Sequence, residues 1–326
     1  MIICQTPLRV SFFGGGTDLP EYFEQHGGAV LGSAIDKFIY HSVTRFPSEL
    51  FEHSVRLAYS KVEHVRCVDD IEHKPFREIL KFVGIEKDIE ISLAADLPAF
   101  SGLGSSSSFT VGALNALNAY KGKFVTRYEL ARMAIHIERD RLGEAVGCQD
   151  QIFAAFGGIN LVEFISRDNF IVNRVVISAQ RIQELNDSLL LFFTGVKRRA
   201  CDIERRKINN IDQIRGSLLN IHRLVEKAHV LLTGNVSLTG FGELLDETWR
   251  QKRELDSAMS QPQVELMYER AKTAGAIGGK LLGAGGGGFM LFFVPADCQA
   301  KVRHALADYY EVPFRLNAPG SSIIHS

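Results

Sequence analysis

The chain has 326 residues, 46% hydrophobic and 23% charged, enough apolar surface for one large domain or, better, two. Its formal net charge of -1 provides no global basic field, which argues against nucleic acid or an anionic membrane as the main partner. Cys4, Cys67, Cys148, Cys201 and Cys298 are scattered without a C-x-x-C spacing, and there is neither a signal-peptide pattern nor an apolar run of membrane-spanning length, so a disulfide scaffold and a zinc site are not expected and a cytoplasmic setting is.

Leu8, Val10 and Phe12 alternate with Arg9, Ser11 and Phe13, a period of two that predicts a strand over 7–13 running into the turn at Gly14 to Gly16. Further strands are predicted near 29–44 and 89–95. Helices fit 71–83, 105–120 and 127–142, the last opened by Thr126 and Glu129 at capping-box spacing. Short strands follow near 159–164 and 170–177, and Leu189 to Phe193 reads as a buried strand leading to Thr194-Gly-Val-Lys-Arg-Arg199. Ile203, Ile211, Ile214, Leu218, Ile221 and Val225 then recur at helical spacing, 239–257 and 262–274 read as helices, and a strand is expected over 289–294. This change to helix-rich sequence near 184 divides the chain into units 1–183 and 184–326.

Between an apolar strand and a helix lies Pro98-Ala-Phe-Ser-Gly-Leu-Gly-Ser-Ser-Ser-Ser108. Gly102 and Gly104 permit positive φ, and a following helix offers unpaired N–H groups and a positive dipole end, so the segment can cradle phosphate, with the serine hydroxyls capping the helix or meeting a phosphate or metal ion. A flexible turn is the competing reading, since the Lys of a Walker loop is missing. Gly283-Ala-Gly-Gly-Gly-Gly288 matches G-x-G-x-x-G but precedes a strand, which rules out a dinucleotide fingerprint. It forms a tight turn or lets backbone approach the first loop or a ligand, and on the second reading Gly285 and Gly286 face substrate.

The ordered triplet T-P-L-R-V-S-F-F-G-G-G-T-D-L-P, P-A-F-S-G-L-G-S-S-S-S and K-L-L-G-A-G-G-G-G-F resembles the GHMP small-molecule kinases, which include galactokinase, homoserine kinase and mevalonate kinase. The likeness covers nearly the whole chain. It implies an α+β enzyme with an N-terminal mixed α/β phosphate-loop domain, a C-terminal ferredoxin-like domain and the active site between them. ATP and Mg2+ are the implied cosubstrate and metal, with Ser101, Gly102, Leu103, Gly104, Ser105, Ser106 and Ser107 around the phosphates. Matched residue by residue, Arg9 lies at the transferred phosphoryl group and Asp18 at the sugar, next to Gly15, Gly16 and Thr17. The segment Glu138-Arg-Asp-Arg-Leu-Gly-Glu-Ala-Val-Gly-Cys-Gln-Asp150 resembles the stretch that supplies a metal-binding Glu and the catalytic Asp. By that resemblance Glu138 and Ser106 take magnesium and Asp150 the acceptor hydroxyl.

Read without the family, Arg9 needs a carboxylate or a phosphate on its apolar strand, Asp18 could close an Asx-turn, Glu138 reads as a solvated helix face and Asp150 as a loop residue. The wording P-L-R-V-S-F-F-G-G-G-T-D-L-P-E-Y-F is similar to the heptose 7-phosphate kinases within the family, whereas galactokinases carry E-H-T-D-Y there. This implies phosphorylation of the anomeric hydroxyl of a sugar that already bears a phosphate. Lys197 and Arg198, or else Lys37, are the cations available to hold that phosphate, unless they are merely solvated. A kinase of fucose or another unphosphorylated hexose is the alternative. An inactive binding module is a further alternative, expected to have lost Arg9, Glu138 or Asp150, and all three are present.

Overall fold

The structure is a computed structural model describing residues 1–99, 102–166, 169–196, 200–255 and 261–326, with backbone alone at 200–202. Strand β1 (Ile2–Phe13) turns through the glycines into helix α1 (Pro20–His26) and the long strand β2 (Gly28–Arg45). The hairpin β3 (Val55–Ala58) and β4 (Val62–Val65), helix α2 (Lys74–Val83) and β5 (Ile89–Ala95) follow, then helices α3 (Ser105–Tyr120), α4 (Arg127–His136) and α5 (Gln149–Phe156) and strands β6 (Ile159–Ser166) and β7 (Asn169–Arg174). The eighteen residues of β2 give it room for two neighbours on one edge: its first half pairs with β6 and its second with β5, while β1 runs antiparallel along the other edge.

Helix α6 (Ala179–Ser188) leads into β8 (Leu189–Phe193), then α7 (Ala200–Asn209), α8 (Ile211–Thr233), α9 (Thr239–Leu255), α10 (Pro262–Thr273), β9 (Gly278–Leu281), β10 (Phe289–Phe293), α11 (Gln299–Ala305) and β11 (Tyr310–Glu311). The four strands form a second antiparallel sheet in the order β11-β8-β10-β9, whose core holds Leu190, Phe192, Met290 and Phe292 beneath Trp249 and Tyr268. The last strand, β12 (Ser322–His325), returns to pair with β1 in the first sheet, and position 184 lies inside α6.

Helices α8 and α9 join the two halves. α8 packs against β1 and β2, α9 against β9, and Phe12 and Phe13 at the end of β1 meet Phe241 of α9 edge to face at 5.4 and 5.0 Å. Strand β1 is therefore buried on both faces. Arg9 and Ser11, which alternate with the apolar Leu8, Val10 and Phe12, are only 3% and 4% exposed.

The expected elements are present with adjusted ends. Helix α2 starts at Lys74 because His73 caps it and Pro75 occupies its first turn. The helix expected over 127–142 is α-helical only to His136, then widens into a π turn over Ile137–Arg141. The run from Ile203 to Val225 is broken at Asn210, between α7 and α8. The short elements α1, β3, β4, α5, α6, β9, α11, β11 and β12 had not been expected.

Candidate active site

Gly102 and Gly104 both adopt left-handed backbone, at φ of 77° and 75°. Gly104 is the N-cap of α3 and brings no side chain, so the serines do not cap this helix as expected. Its first N–H groups are left without a side-chain acceptor, pointing where an anion would bind. Ser105, Ser107 and Ser108 are buried and Ser106 is exposed; Ser108 donates to the Pro7 carbonyl at 2.7 Å, which fastens the helix to β1. The third glycine segment braces this loop from behind, since a Cβ on Gly102 would lie 2.7 Å from the Leu282 oxygen and one on Gly283 2.6 Å from the Gly102 Cα. Two glycines meeting back to back let the loops interlock.

Arg9 and Asp150, 141 positions apart, form a forked ion pair beside this cradle. Arg9 Nε donates to Asp150 Oδ1 at 2.7 Å and Nη2 to Oδ2 at 2.5 Å, while Nη1 donates to the Gly102 carbonyl at 2.6 Å. The Arg9 side chain is 4% exposed and that of Asp150 24%, so the arginine is the fixed partner and the carboxylate keeps an open side. A Cβ on Gly104 would come within 3.1 Å of Arg9 Cγ and 3.3 Å of Asp150 Oδ2. Asp150 is thus not a loop residue. It stands in the first turn of α5, in contact range of the phosphate-loop backbone.

Glu138 sits in the π turn after α4, a helix irregularity often found at functional sites. It is 1% exposed, the opposite of a solvated helix face. Its Oε2 accepts from Ser107 Oγ at 2.9 Å and Gln151 Nε2 at 2.6 Å, whereas Oε1 has no partner. Burial, only partly offset by these donors and by Thr110, lifts its pKa to about 7. The serine hydrogen-bonded to Glu138 is Ser107, while Ser106, which the resemblance places with Glu138 on the metal, is exposed one residue earlier. A buried carboxylate with one orphaned oxygen and only neutral partners suits a cation. Among the described residues no cluster of three His, Cys, Asp or Glu gathers, so such a cation would rely on oxygens from its ligand, as magnesium does on nucleotide phosphates.

Asp18 is 3% exposed and accepts from the Gly16 N–H at 2.9 Å and the Gln149 N–H at 3.3 Å, joining the first glycine turn to the start of α5. The Gly16 bond runs back to the residue two before Asp18, so the turn it closes is not an Asx-turn. Burial, with Glu204 and Asp150 nearby, raises its pKa. A Cβ at position 147 would lie 1.9 Å from Asp18 Oδ2, which restricts that site to glycine. Thr17 is buried and donates to the Gly14 and Ala29 carbonyls at 2.8 and 2.9 Å. A Cβ on Gly15 would lie 3.8 Å from Ser11 Oγ and 3.9 Å from Gln149 Nε2, and both side chains retain an unpartnered polar atom. Gly285 and Gly286 lie in the loop between β9 and β10 with positive φ. Lys37 pairs with its neighbour Asp36 at 3.7 Å. Ser101, Lys197 and Arg198 fall outside the described residues.

The sequence reading overlooked three lysines below the junction. Lys280 of β9 is 2% exposed and donates to the Ser11 and Phe12 carbonyls, both at 2.8 Å. Lys252 of α9 is 4% exposed and donates to the Leu281 and Gly283 carbonyls at 3.0 and 2.5 Å. Lys207 of α7, 2% exposed, meets Glu204 at 2.8 Å. Buried lysines are rare. Their signal in the sequence was a lysine on an apolar face: Lys252 shares a helix stripe with Leu245 and Trp249, and Lys280 interrupts a strand with Leu281 beside it.

With this geometry in view, the chain was compared with known proteins. The GHMP kinases N terminal domain matches residues 66–158 and the GHMP kinases C terminal domain residues 235–312. A D-glycero-alpha-D-manno-heptose 7-phosphate kinase from Campylobacter jejuni is 33% identical over 301 residues, 89% of this chain and 88% of that protein. The chain is a GHMP kinase. As such it is an ATP-dependent sugar kinase, transferring a phosphoryl group to an alcohol. The crystal structure of a D-glycero-D-manno-heptose 1-phosphate kinase from Bacteriodes thetaiotaomicron superposes with a TM-score of 0.82 at 26% identity over the full length of both chains. An L-fucokinase/L-fucose-1-P guanylyltransferase of Bacteroides fragilis is 28% identical over 92% of this chain but only 35% of its own length. In this GHMP kinase the phosphate loop and Asp150 fall within or beside the matched N-terminal domain, Lys252 and Lys280 within the C-terminal one. Among the described residues no helix is long and apolar enough to cross a membrane.

Proposed function

We propose that this kinase phosphorylates the anomeric hydroxyl of D-glycero-D-manno-heptose 7-phosphate, giving the 1,7-bisphosphate, with Asp150 holding the attacking oxygen. The observation that carries the reading is the convergence of the uncapped α3 N-terminus, Gly104 and the Arg9–Asp150 pair within van der Waals reach of one another. The printed name of the Campylobacter jejuni relative supports the choice of sugar.

ATP phosphates lie against the N–H groups from Gly102 to Ser107, Leu103 among them, and Ser101, outside the described residues, is assigned to the same role. Phosphoryl transfer passes through a loose transition state with charge spread over the equatorial oxygens, so positioning and electrostatics do most of the work. Arg9, already anchored on Asp150 and the Gly102 carbonyl, presents its guanidinium to that charge. Asp150 accepts a hydrogen bond from the sugar hydroxyl and orients it, and takes its proton late, as the new P–O bond forms and the bond to ADP breaks; the ion pair with Arg9 is compatible with this because little deprotonation is needed early. Glu138 and Ser107, with Ser106 on the exposed side, are the residues that would hold Mg2+, which supplies charge neutralisation on the phosphates. The sugar rests against Gly15, Gly16 and the Gln149 side chain, on the turn that Thr17 and Asp18 shape, with Gly285 and Gly286 closing from the opposite half. Lys197 and Arg198 are assigned to the phosphate already on the sugar.

Phosphorus NMR of the wild-type enzyme with ATP, Mg2+ and the heptose 7-phosphate tests the reading. A new phosphomonoester signal coupled to the anomeric proton is expected, one per ADP formed, with L-fucose left unphosphorylated. Turnover of L-fucose alone would overturn the choice of sugar. The Lys197→Ala and Arg198→Ala variants should lose more activity on the phosphorylated than on the unphosphorylated heptose, and equal losses on both would remove that anchor.

A further inference from the structure

Four cations are buried close enough under the site to feel one another's charge: Arg9 from β1, Lys207 from α7, Lys252 from α9 and Lys280 from β9. Two of them tie main-chain carbonyls in pairs. Lys280 reaches across from the second sheet to Ser11 and Phe12, two and three residues beyond Arg9 on the same strand. Lys252 holds Leu281 and Gly283, the residues flanking Leu282, whose carbonyl is the surface on which Gly102 rests. The Gly102 carbonyl in turn accepts from Arg9. From both ends the chain of contacts arrives at one guanidinium, the group that fixes Asp150.

Resting on the functional reading above, we propose that Lys280 and Lys252 are positioning residues for phosphoryl transfer: each ammonium grips two carbonyls of a glycine segment, and together they set Arg9, and through it Asp150, against the phosphate loop. Ordinary core packing would place an apolar side chain at both positions. Desolvating two ammonium groups is costly, and a lysine held by carbonyls rather than by a carboxylate has no counter-charge at its head, so burial lowers the pKa of both Lys280 and Lys252. The charged and titratable groups facing Lys280 are Arg9 on β1, Asp18 in the following turn, Lys207 on α7 and Lys252 on α9. Burial, reinforced by Arg9 and Lys207, brings Lys280 down to about 7, so it changes charge in the working range of a kinase.

The test is steady-state kinetics of Lys280→Met and Lys252→Met across pH, with thermal unfolding measured in parallel and Lys272→Met as control. Lys272 also donates to a carbonyl, that of Ile277, which belongs to none of the three glycine segments, and it pairs with Asp246 at 3.3 Å, so its loss should leave turnover unchanged. For Lys280→Met and Lys252→Met, kcat is expected to fall at least tenfold with KM for the sugar changed less than threefold. In the wild type, kcat/KM for ATP should decline above about pH 7 as Lys280 loses its proton, and Lys280→Met should lack that limb. Folded variants with wild-type kcat and an unaltered profile would overturn the proposal. Should Lys280→Met fail to fold, the wild-type profile and Lys280→Arg decide: no limb near pH 7 in the former, or inactivity of a folded, still cationic variant together with a flat wild-type profile, counts against it. Asp150→Asn run alongside separates the two claims. If it retains wild-type turnover the functional reading itself fails; if it is inactive while the lysine variants are not, only the lysine proposal falls.

Discussion

At the scale of single residues, the site depends on which charges are buried and which are left partly open. Arg9 was legible as a guanidinium needing an anion, and the structure supplies one in Asp150. Nothing in the local sequence of either residue encodes that pairing, because it depends on two elements 141 positions apart meeting in space. Glu138 misled for a related reason: its neighbours Arg139, Asp140 and Arg141 make the segment look solvated, but in the π turn Glu138 is buried along with Ile137. Its raised pKa gives a prediction with a definite sign. A carboxyl held at about 7 instead of its usual 4.5 contributes stability that is complete below pH 4.5 and lost as pH rises through 7, about 3 kcal/mol in all. Glu138→Gln, neutral at every pH, should therefore unfold at a higher temperature than the wild type at pH 8 without metal. Adding magnesium should stabilise the wild type and not the variant, and the variant should need more magnesium for half-maximal rate. Identical melting curves in the two conditions would remove Glu138 from the metal site.

At the scale of elements, long periodic segments were readable and short ones were not. β2, α3, α8 and α9 carry enough turns or alternations to declare themselves, whereas α1, α5, β9 and β12 are four to eight residues long and are held by what they pack against. Two of these silent elements, α5 and β9, carry Asp150 and Lys280, so the part of the site that was hardest to read is the part that tertiary contacts build. The packing of β2 against α2 and α3 holds a second buried titratable group. His41 is fully buried against Phe76 and Phe109, both ring nitrogens lack partners, and burial lowers its pKa to about 3. It is neutral in the fold and protonates on unfolding, so its contribution is present above pH 6.5 and fades as pH falls towards 3, by roughly 4–5 kcal/mol. Chemical denaturation of His41→Met between pH 4 and 7 should show a shallower loss of stability on acidification than the wild type. Parallel pH slopes would contradict this.

At the scale of the whole molecule, the two sheets are coupled more closely than a linear division of the chain conveys. α8 and α9 wedge between them, Lys280 crosses from one to the other, and the chain ends by returning β12 to the edge of β1. Ser321, just before that strand, meets Thr6 Oγ1 at 2.8 Å and accepts from Asn115 at 3.0 Å. Ending the chain at Gly320 should expose the β1 edge, lower the unfolding temperature by several degrees and promote association through the bared strand. Calorimetry and light scattering read both effects, and an unchanged transition would show β12 to be dispensable. The order of the three glycine segments carried the family through the sequence alone, and the structure adds the reason for that order. The first segment bears Arg9, the second carries the uncapped start of α3, and the third backs the second across the junction.

The central claim is that Asp150, fixed by Arg9 beside the phosphate loop, orients the sugar hydroxyl for transfer. Single-turnover kinetics of Asp150→Asn, with ATP affinity measured separately by calorimetry, test it most directly. The transfer rate should fall by a factor of about 10²–10⁴ with ATP binding changed only slightly. A transfer rate equal to that of the wild type, or a loss explained wholly by weakened ATP binding, would contradict it.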